Sequence, residues 1–518
     1  MTERIKTDIF CWCLIVIIAA GCSSGSSTGP QNNVPASIEQ NAQLLTDELT
    51  AQGFQVTRGY FKLWTSDDCS YTFERMGMCY GNNPAAPYVM FAVPPWPEEF
   101  VDPVTSNLWG PSYPGYIDVY RLDPREAIII LGQLPPPGAF FSEQTWLFSR
   151  QGTYNTGSNT YKNVDAYAHA LLPFLFATVP NNPGRIQSAS MLSNPNNNVV
   201  IERKSGSAFD QTRYFIITPD QFMDNAVRQV FTGIGVEDKD VFTEPIPSDM
   251  KTGLDEGSDD FTTAIRFAEP KDGGGIGTPS YWWRKNLPLV VLRVRDTRSN
   301  RQIQPYPPVA LETRTAVDEL PLNTDLGSLL AAVSRKWGQP CANPDCSDRA
   351  KSFMDVQGFP PYTIGPLCRQ IGENCLLDNW DASYHFYGPL SLDNGEIYAV
   401  AGTLGTETGN ATYVGLGINQ TSRLLGIANL SDGDLTGTAN EYAGKVRNTD
   451  KFFLYYFTRD CSDLEELTGK YCFELPVTMI PLGDHVALSI RDYVKPGTQR
   501  GPDSSLVLPP EVLQLKRP

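Results

Sequence analysis

The sequence predicts an α+β fold of two domains, built mainly from antiparallel sheets with a few helices. The chain has 518 residues, more than a single hydrophobic core usually holds. Short apolar runs rich in β-branched and aromatic residues recur along it between proline- and glycine-rich turns, which is the pattern of strands. Only a few segments repeat apolar residues at helical spacing. With 41% hydrophobic residues, the chain has the composition of a folded protein.

The larger predicted domain spans residues 37–335 and opens with a helix. Ser37 and Gln40 form a capping-box pattern, apolar residues follow at helical spacing, and Gly53 supplies the stop. A second helix is predicted directly after Thr218, and a third over residues 326–337. The strands predicted in this domain cover residues 54–63, 88–93, 116–120, 126–131, 214–217 and 289–294.

A cysteine-rich connector is predicted over residues 336–377, followed by a smaller, mainly β domain over residues 378–518. Its predicted strands cover residues 396–401, 411–418, 424–428, 452–457, 471–475 and 485–491. No internal repeat is credible from the sequence. The likeness of Arg213-Tyr214-Phe215-Ile216 to Lys451-Phe452-Phe453-Leu454 is within what chance gives for two aromatic strands.

The N-terminal segment has the features of an export signal. An apolar run of 12 residues, from Ile9 to Ala20, follows a short charged start and is too short for a membrane span, which needs about 20 residues. Ala19-Ala20-Gly21 stands directly before Cys22. This end resembles the lipobox of bacterial lipoproteins, although Ala19 replaces the usual leucine, and the resemblance covers only the first 22 residues. An ordinary cleaved signal with an incidental cysteine is the alternative.

The resemblance implies a signal peptide over residues 1–21, cleavage before Cys22, and a lipid anchor on that cysteine. Residues 22–36 begin with a serine- and glycine-rich stretch and are predicted to form a flexible tether. The predicted location is the bacterial cell envelope, with the membrane as a partner through the lipid. Ser23, rather than aspartate, follows the cysteine, and in enterobacterial lipoproteins this implies the outer membrane rather than the inner one.

Eight cysteines lie beyond Cys22 in four close pairs, and an even number in an exported chain is typical of disulfides. They are Cys69, Cys79, Cys341, Cys346, Cys368, Cys375, Cys461 and Cys472. Nearest-neighbour pairing is predicted, although the four between residues 341 and 375 could cross-connect. Metal or haem binding is disfavoured because the sequence contains no Cys-x-x-Cys.

The net charge of −17 excludes nucleic acid as a partner, because phosphate recognition requires basic patches. The motifs of familiar enzymes are also missing. Beyond the serine- and glycine-rich tether no serine stands in Gly-x-Ser-x-Gly, and neither His-Glu-x-x-His nor a phosphate-binding loop occurs. The partner, whether a small molecule or a protein, is not identified by the sequence.

His385 is the main catalytic candidate among only three histidines. Asp381 precedes it by four residues, and a carboxylate that orients an imidazole beside a hydroxyl is the arrangement of a general base. The alternative is a structural role at a domain boundary lined by tyrosine and tryptophan.

An acidic loop at residues 255–260 offers oxygen ligands that suit calcium, the one cofactor considered. Its candidate ligands are Asp255, Asp259 and Asp260. The spacing does not match an EF-hand, and a solvated acidic loop is the alternative.

The sequence thus favours a lipid-anchored, disulfide-stabilised envelope protein that binds a ligand or partner without catalysis. One alternative is an extracytoplasmic hydrolase of an unfamiliar class that uses carboxylates or the Asp381/His385 pair. Another is a structural component of an envelope complex, which would expose a large apolar interface.

Overall fold

The computed structural model describes residues 32–155, 157, 172–298, 301–356, 368–369 and 372–518. The predicted signal peptide, Cys22, most of the tether and His169 lie outside these residues. None of the helices in the described ranges has both the length and the apolar character needed to span a membrane.

The longer helices, labelled α1 to α6, are Ala36–Ala51, Cys69–Met76, Asn198–Ser205, Gln221–Gly233, Pro279–Asn286 and Asn323–Lys336. Single helical turns are formed by Leu172–Leu175, Gly405–Thr408, Asp432–Leu435 and Glu465–Thr468. Short 3-10 segments are Ser66–Asp68, Asp238–Asp240, Leu320–Leu322, Thr421–Arg423, Asn440–Tyr442 and Thr449–Lys451.

The strands of the first half, β1 to β12, are Phe54–Arg58, Tyr60–Trp64, Tyr88–Ala92, Glu126–Gln133, Gly138–Gln151, Thr178–Val179, Asn182–Met191, Asn196–Asn197, Thr212–Thr218, Val241–Pro245, Asp260–Pro270 and Leu289–Asp296. Sheet 1 has the order β1-β12-β4-β9-β10, and sheet 2 has the order β2-β3-β11-β5-β7-β6, with β8 beside β5. All pairs are antiparallel except β9–β10, which α4 connects. A parallel pair needs such a crossover.

Sheet 1 is buried on both faces. On β4, Ile128 and Ile130 pack against sheet 2, whereas Ala127, Ile129 and Leu131 pack against α1 and α4. This explains the unbroken apolar run at residues 127–131, because a strand covered on both sides has no polar face.

The strands of the second half, β13 to β22, are Lys351–Ser352, Met354–Asp355, Ala382–Ser391, Glu396–Thr403, Tyr413–Gln420, Leu425–Ser431, Phe452–Thr458, Cys472–Glu474, His485–Tyr493 and Glu511–Lys516. Sheet 3 has the order β13-β22-β16-β19-β20, and sheet 4 has the order β14-β15-β21-β17-β18. Within them only β19–β20 is parallel. Helix α6 covers the outer face of sheet 3, and the inner faces of sheets 3 and 4 form another core. The predicted α+β class with mainly antiparallel sheets is confirmed.

The two halves share one topology. If β1, β2, β3, β4, β5, β7, β9, β10, β11 and β12 are matched in chain order with β13 to β22, sheet 1 becomes sheet 3 and the main path of sheet 2 becomes sheet 4. The parallel pair falls at the same edge in both halves. Helices α1 and α6 each precede the first strand and cover the equivalent sheet. The chain is therefore a structural duplication.

The sequence prediction of no repeat is wrong at the level of structure. Strands β9 and β19 occupy equivalent places, and the short likeness noted above aligns them residue by residue. Phe215 and Phe453 both face the core between two sheets, whereas Ile216 and Leu454 both face the helices. The two strands resemble each other because the same two-sided burial selects the same residue types.

Residues 54–63, predicted as one strand, divide between two sheets at Gly59. The Gly59 N–H donates to Val291 O on sheet 1 at 3.0 Å, and the next residue begins β2 of sheet 2. A Cβ at this position would lie 2.3 Å from Ala92 O. Glycine is required here because the two sheets approach each other most closely where the chain crosses between them.

Three further sequence predictions differ from the structure in detail. Residues 116–120 form isolated bridges, Val93 with Ile117 and Tyr120 with Phe261, instead of a strand. Helix α1 begins at Ala36 after Pro35, so Ser37 lies inside the helix and no side chain caps it. Helix α6, which the sequence analysis placed at the end of the larger domain, packs into the core of the second half.

Four disulfides join the described cysteines as nearest neighbours. The pairs are Cys69–Cys79, Cys341–Cys346, Cys368–Cys375 and Cys461–Cys472. The first and third bridges lie in equivalent connections, between β2 and β3 and between β14 and β15. Disulfide formation, as predicted, is thus seen in both halves.

Candidate functional site

Sheets 2 and 4, which are equivalent in the two halves, pack against each other through their outer faces. The rings of Phe140 on β5 and Tyr493 on β21 lie 4.7 Å apart, and Tyr413 stacks on Tyr493 at 4.8 Å. Asn83 donates its amide N–H groups to both tyrosine hydroxyls at 3.2 Å. At this end the interface between the halves therefore consists of packed aromatic rings and of hydrogen bonds from Asn83 of the first half to two tyrosines of the second half.

A cavity of about 130 Å³ lies beside these contacts, and we call it the central cavity. A buried water needs only about 10–15 Å³, so the cavity can hold a small organic molecule. Its wall is mostly apolar and aromatic, and the apolar members include Ala86, Leu175, Leu376, Leu377, Phe386 and Leu424. An apolar cavity with a few polar groups is the usual form of a small-molecule site.

Two tyrosine–arginine pairs border the central cavity at equivalent positions. Tyr88 on β3 is the cross-strand partner of Arg266 on β11, and Tyr384 on β15 is the cross-strand partner of Arg491 on β21. Strands β3 and β15 correspond in the duplication, as do β11 and β21. Both arginines are only 5% exposed. The duplication has thus brought two buried guanidinium groups to one cavity.

Arg266 is neutralised across the interface by Asp381, which stands immediately before β15. Arg266 Nη2 donates to Asp381 Oδ2 at 3.0 Å and to Gln144 Oε1 at 2.8 Å. Asp381 also accepts from Ser142 Oγ at 2.6 Å and from Asn197 Nδ2 at 2.7 Å. Burial raises the pKa of Asp381, and Arg266 opposes that rise. This carboxylate is thus a buried link between the halves.

Arg491 has no such partner among the described residues. Its Nη2 donates to the Gly81 carbonyl oxygen at 2.8 Å, and its guanidinium carbon lies 5.9 Å from the Tyr384 ring centroid. Its Nη1 is buried without a hydrogen-bond partner in the described part of the chain. A buried cation without a counter-ion is costly, so Arg491 is the group of the cavity wall that would gain most from a bound anion.

Two acids border the cavity, and burial disfavours the ionised form of both. The pKa of Glu373 is raised to about 8 by burial alone, which means that no neighbouring cation stabilises its carboxylate. The pKa of Asp378 is raised to about 7, again mainly by burial. Asp378 accepts from the Met191 N–H at 2.7 Å and from Trp380 Nε1 at 3.1 Å. Neither acid neutralises Arg491.

His385 borders the cavity but faces the opposite side of β15 from Tyr384, because side chains alternate along a strand. It is fully buried opposite Ile490, at the position that Val89 occupies in the first half. Both ring nitrogens lack a hydrogen-bond partner among the described residues, and burial lowers the pKa to about 4. The nearest charge acting on it is that of Asp355, so the structure does not bring His385 and Asp381 together.

Two of the three candidate calcium ligands in the acidic loop form ion pairs with arginines. Asp259 accepts from Arg150 Nη2 at 2.6 Å. Asp260 lies 3.0 Å from Arg185 and 3.2 Å from Arg121. The Asp255 side chain accepts from the Gly257 N–H, nearby in sequence, at 2.8 Å. Within the described ranges no three or more histidine, cysteine or acidic side chains are placed to hold a metal ion.

Neither Arg266 nor Arg491 is predicted as a site residue from the sequence. A signal was present, since Arg266 and Arg491 each interrupt a run of buried strand residues, where an arginine is rarely found. What the sequence could not give was their proximity, because 225 positions separate residues 266 and 491 of this chain.

Comparison with known proteins assigns no family. A scan against protein-family models finds no match, and a search of curated proteins finds no relative. Among solved structures, an uncharacterised protein from Burkholderia cenocepacia is 9% identical, with 92% of this chain and 87% of that chain covered and a TM-score of 0.33. The VPA0106 protein from Vibrio parahaemolyticus is 10% identical, with 77% and 88% covered and a TM-score of 0.34. Similarity at this level carries no argument about function.

Replacing Asp381 with asparagine is expected to lower the free energy of unfolding by about 3–5 kcal/mol, because Arg266 would stay buried without a counter-charge. Urea unfolding at pH 7 measures the change. The exposed Asp393→Asn variant is the control and should change stability by less than about 0.5 kcal/mol. Equal stability of the two variants would show that Asp381 does not link the halves.

Replacing His385 with valine, the residue at the equivalent place in the first half, is expected to protect the protein against acid. The folded-state pKa of about 4 lies below the ordinary 6.5, so the stability that neutral His385 allows is complete above pH 6.5 and is lost as the pH falls towards 4. Between pH 7.5 and pH 5 the variant should lose about 2 kcal/mol less stability than the wild type.

Unfolding curves at pH 5 and pH 7.5 measure this difference, with His485→Val, at an exposed position, as the control. If the His385→Val variant loses as much stability between these two pH values as the wild type does, another group is responsible for acid sensitivity.

Proposed function

We propose that this chain is an extracytoplasmic binding protein that is anchored to the bacterial envelope by lipid on Cys22 and holds a small molecule in the central cavity. The binding role is supported by the central cavity, which lies between equivalent faces of the two halves. Its lining is mostly apolar and aromatic side chains. Such sites are common at domain interfaces.

The envelope location is supported by the lipobox-like Ala19-Ala20-Gly21-Cys22 and by the disulfides. Disulfides persist in oxidising compartments and are rare in the cytosol. The serine- and glycine-rich segment after Cys22 would let the folded body stand away from the membrane. Outer-membrane placement follows from Ser23 as the residue after the anchor.

Binding in the cavity is tested by a thermal-shift panel on the chain from Cys22 onwards, with cysteine replaced by serine to avoid lipid. The panel contains benzoate, hexanoate, their amides, benzylamine and glucose. At 100 times its Kd a ligand stabilises the folded state by about 2.7 kcal/mol, which we expect to see as a rise in Tm of a few degrees for at least one class.

A blocked variant locates the binding. Ser489 borders the cavity, so Ser489→Phe should abolish the rise in Tm, whereas Thr324→Phe, at an exposed position of α6, should keep it. If no panel compound shifts the wild type, or if the shift survives in Ser489→Phe, the cavity is not the binding site.

The anchor is tested by expression with radiolabelled fatty acid in a bacterial host. The wild type should take up label and sediment with membranes, whereas Cys22→Ala should lose the label. Cys13→Ala is the control, because this cysteine lies within the apolar run and should be dispensable. Unlabelled wild-type protein in the soluble fraction would contradict lipid anchoring.

A further inference from the structure

We infer that the ligand of the central cavity is a small carboxylic acid with an apolar body, and that its carboxylate binds Arg491. This inference rests on the proposed binding function and adds the chemical class of the ligand. It follows from the duplication, from the donors that surround Gly417, and from the character of the cavity wall.

The first half shows which kind of group neutralises the equivalent arginine in this fold. In the first half, Arg266 receives a carboxylate from outside its own half, that of Asp381 at 3.0 Å. In the second half, the equivalent Arg491 receives from outside its half, among the residues that the structure describes, only the Gly81 carbonyl oxygen at 2.8 Å. A ligand carboxylate at Arg491 would therefore take the part that Asp381 takes at Arg266.

Two donors for that carboxylate border the central cavity close to each other, over Gly417 on β17. The point where a Cβ of Gly417 would stand lies 2.6 Å from Arg491 Nη1 and 2.7 Å from Ser489 Oγ, so only glycine lets these two groups take their places. Ser489 Oγ accepts from Asn419 Nδ2 at 3.2 Å, which leaves its own O–H to donate. A guanidinium N–H and a hydroxyl are thus both present at the cavity wall.

The side chains of the cavity wall restrict the chemical class of the ligand further. A guanidinium N–H and a hydroxyl match the two oxygens of one carboxylate, whereas a phosphate carries more charge and a third acceptor oxygen to satisfy. The remaining wall is built largely from apolar and aromatic side chains, which suit an aromatic ring or a short aliphatic chain. Burial raises the pKa of Glu373 to about 8 and that of Asp378 to about 7, so near neutral pH both carry less negative charge than ordinary carboxylates and repel an acid less.

The experiment compares an acid with its amide, which has the same shape but no charge. Isothermal titration calorimetry of the full mature chain with benzoate and with benzamide should show benzoate binding at least tenfold more tightly, since charge-assisted hydrogen bonds are the stronger ones. Phenyl phosphate is the third probe and should bind less tightly than benzoate.

Variants then assign the preference to Arg491. Arg491→Met should remove the acid-over-amide preference, while Arg459→Met should keep it. Arg459 is a suitable control because it is also buried in the second half and donates to backbone carbonyl groups, but it does not border the cavity. Gly417→Ala keeps both donor side chains in the sequence but would displace them, because its Cβ would lie 2.6 Å from Arg491 Nη1 and 2.7 Å from Ser489 Oγ. It should therefore weaken benzoate binding about tenfold even if Arg491→Met does not fold.

The outcomes separate the inference from the function on which it rests. Equal affinity for benzoate and benzamide, tighter binding of phenyl phosphate, or a preference that survives in Arg491→Met would overturn the carboxylate inference and leave the cavity as a binding site. A failure of every compound in the thermal-shift panel would instead remove the proposed function.

Discussion

The ion pair between Arg266 and Asp381 is the interaction on which the arrangement of the molecule depends. It joins the two halves through groups that are both buried, and removal of either partner would leave a charge without compensation. Ser142, Gln144 and Asn197 complete the hydrogen bonds around it. The pair therefore holds sheets 2 and 4 at one separation, and that separation leaves the central cavity between them.

The two halves differ in the residues that lie beside the equivalent arginines Arg266 and Arg491. Gly415 and Gly417 on β17 stand at the places that Ser142 and Gln144 occupy on β5, so β17 has no counterpart of the Gln144 side chain that accepts from Arg266. A side chain at Gly417 would collide with the Arg491 guanidinium. In the core, His385 takes the place of Val89 without gaining a hydrogen bond among the described residues. The same topology thus pairs Arg266 with a carboxylate in one half. In the other half it leaves Arg491 Nη1 without a hydrogen-bond partner among the described residues.

Much of the fold could be predicted because burial leaves a local pattern. The apolar periodicity of α1 and the two-sided burial of β4 are visible in the residues themselves. The division at Gly59 was not predicted, since only the close approach of Ala92 explains it. The candidate pair of Asp381 and His385 does not meet, because Asp381 lies before β15 and pairs with Arg266. His385 is buried on the face of β15 opposite to Tyr384, and the charge that acts on it is that of Asp355.

The sequence by itself determined the elements that local physics controls: the α+β class, most strands and helices, and disulfides between neighbouring cysteines. Only the tertiary structure decided the duplication and the site. Duplicated topology is retained by burial pattern rather than by residue identity, so the two halves share little recognisable sequence. Arg266 and Arg491 meet because two sheets pack face to face, and no local pattern records which distant faces will pack together.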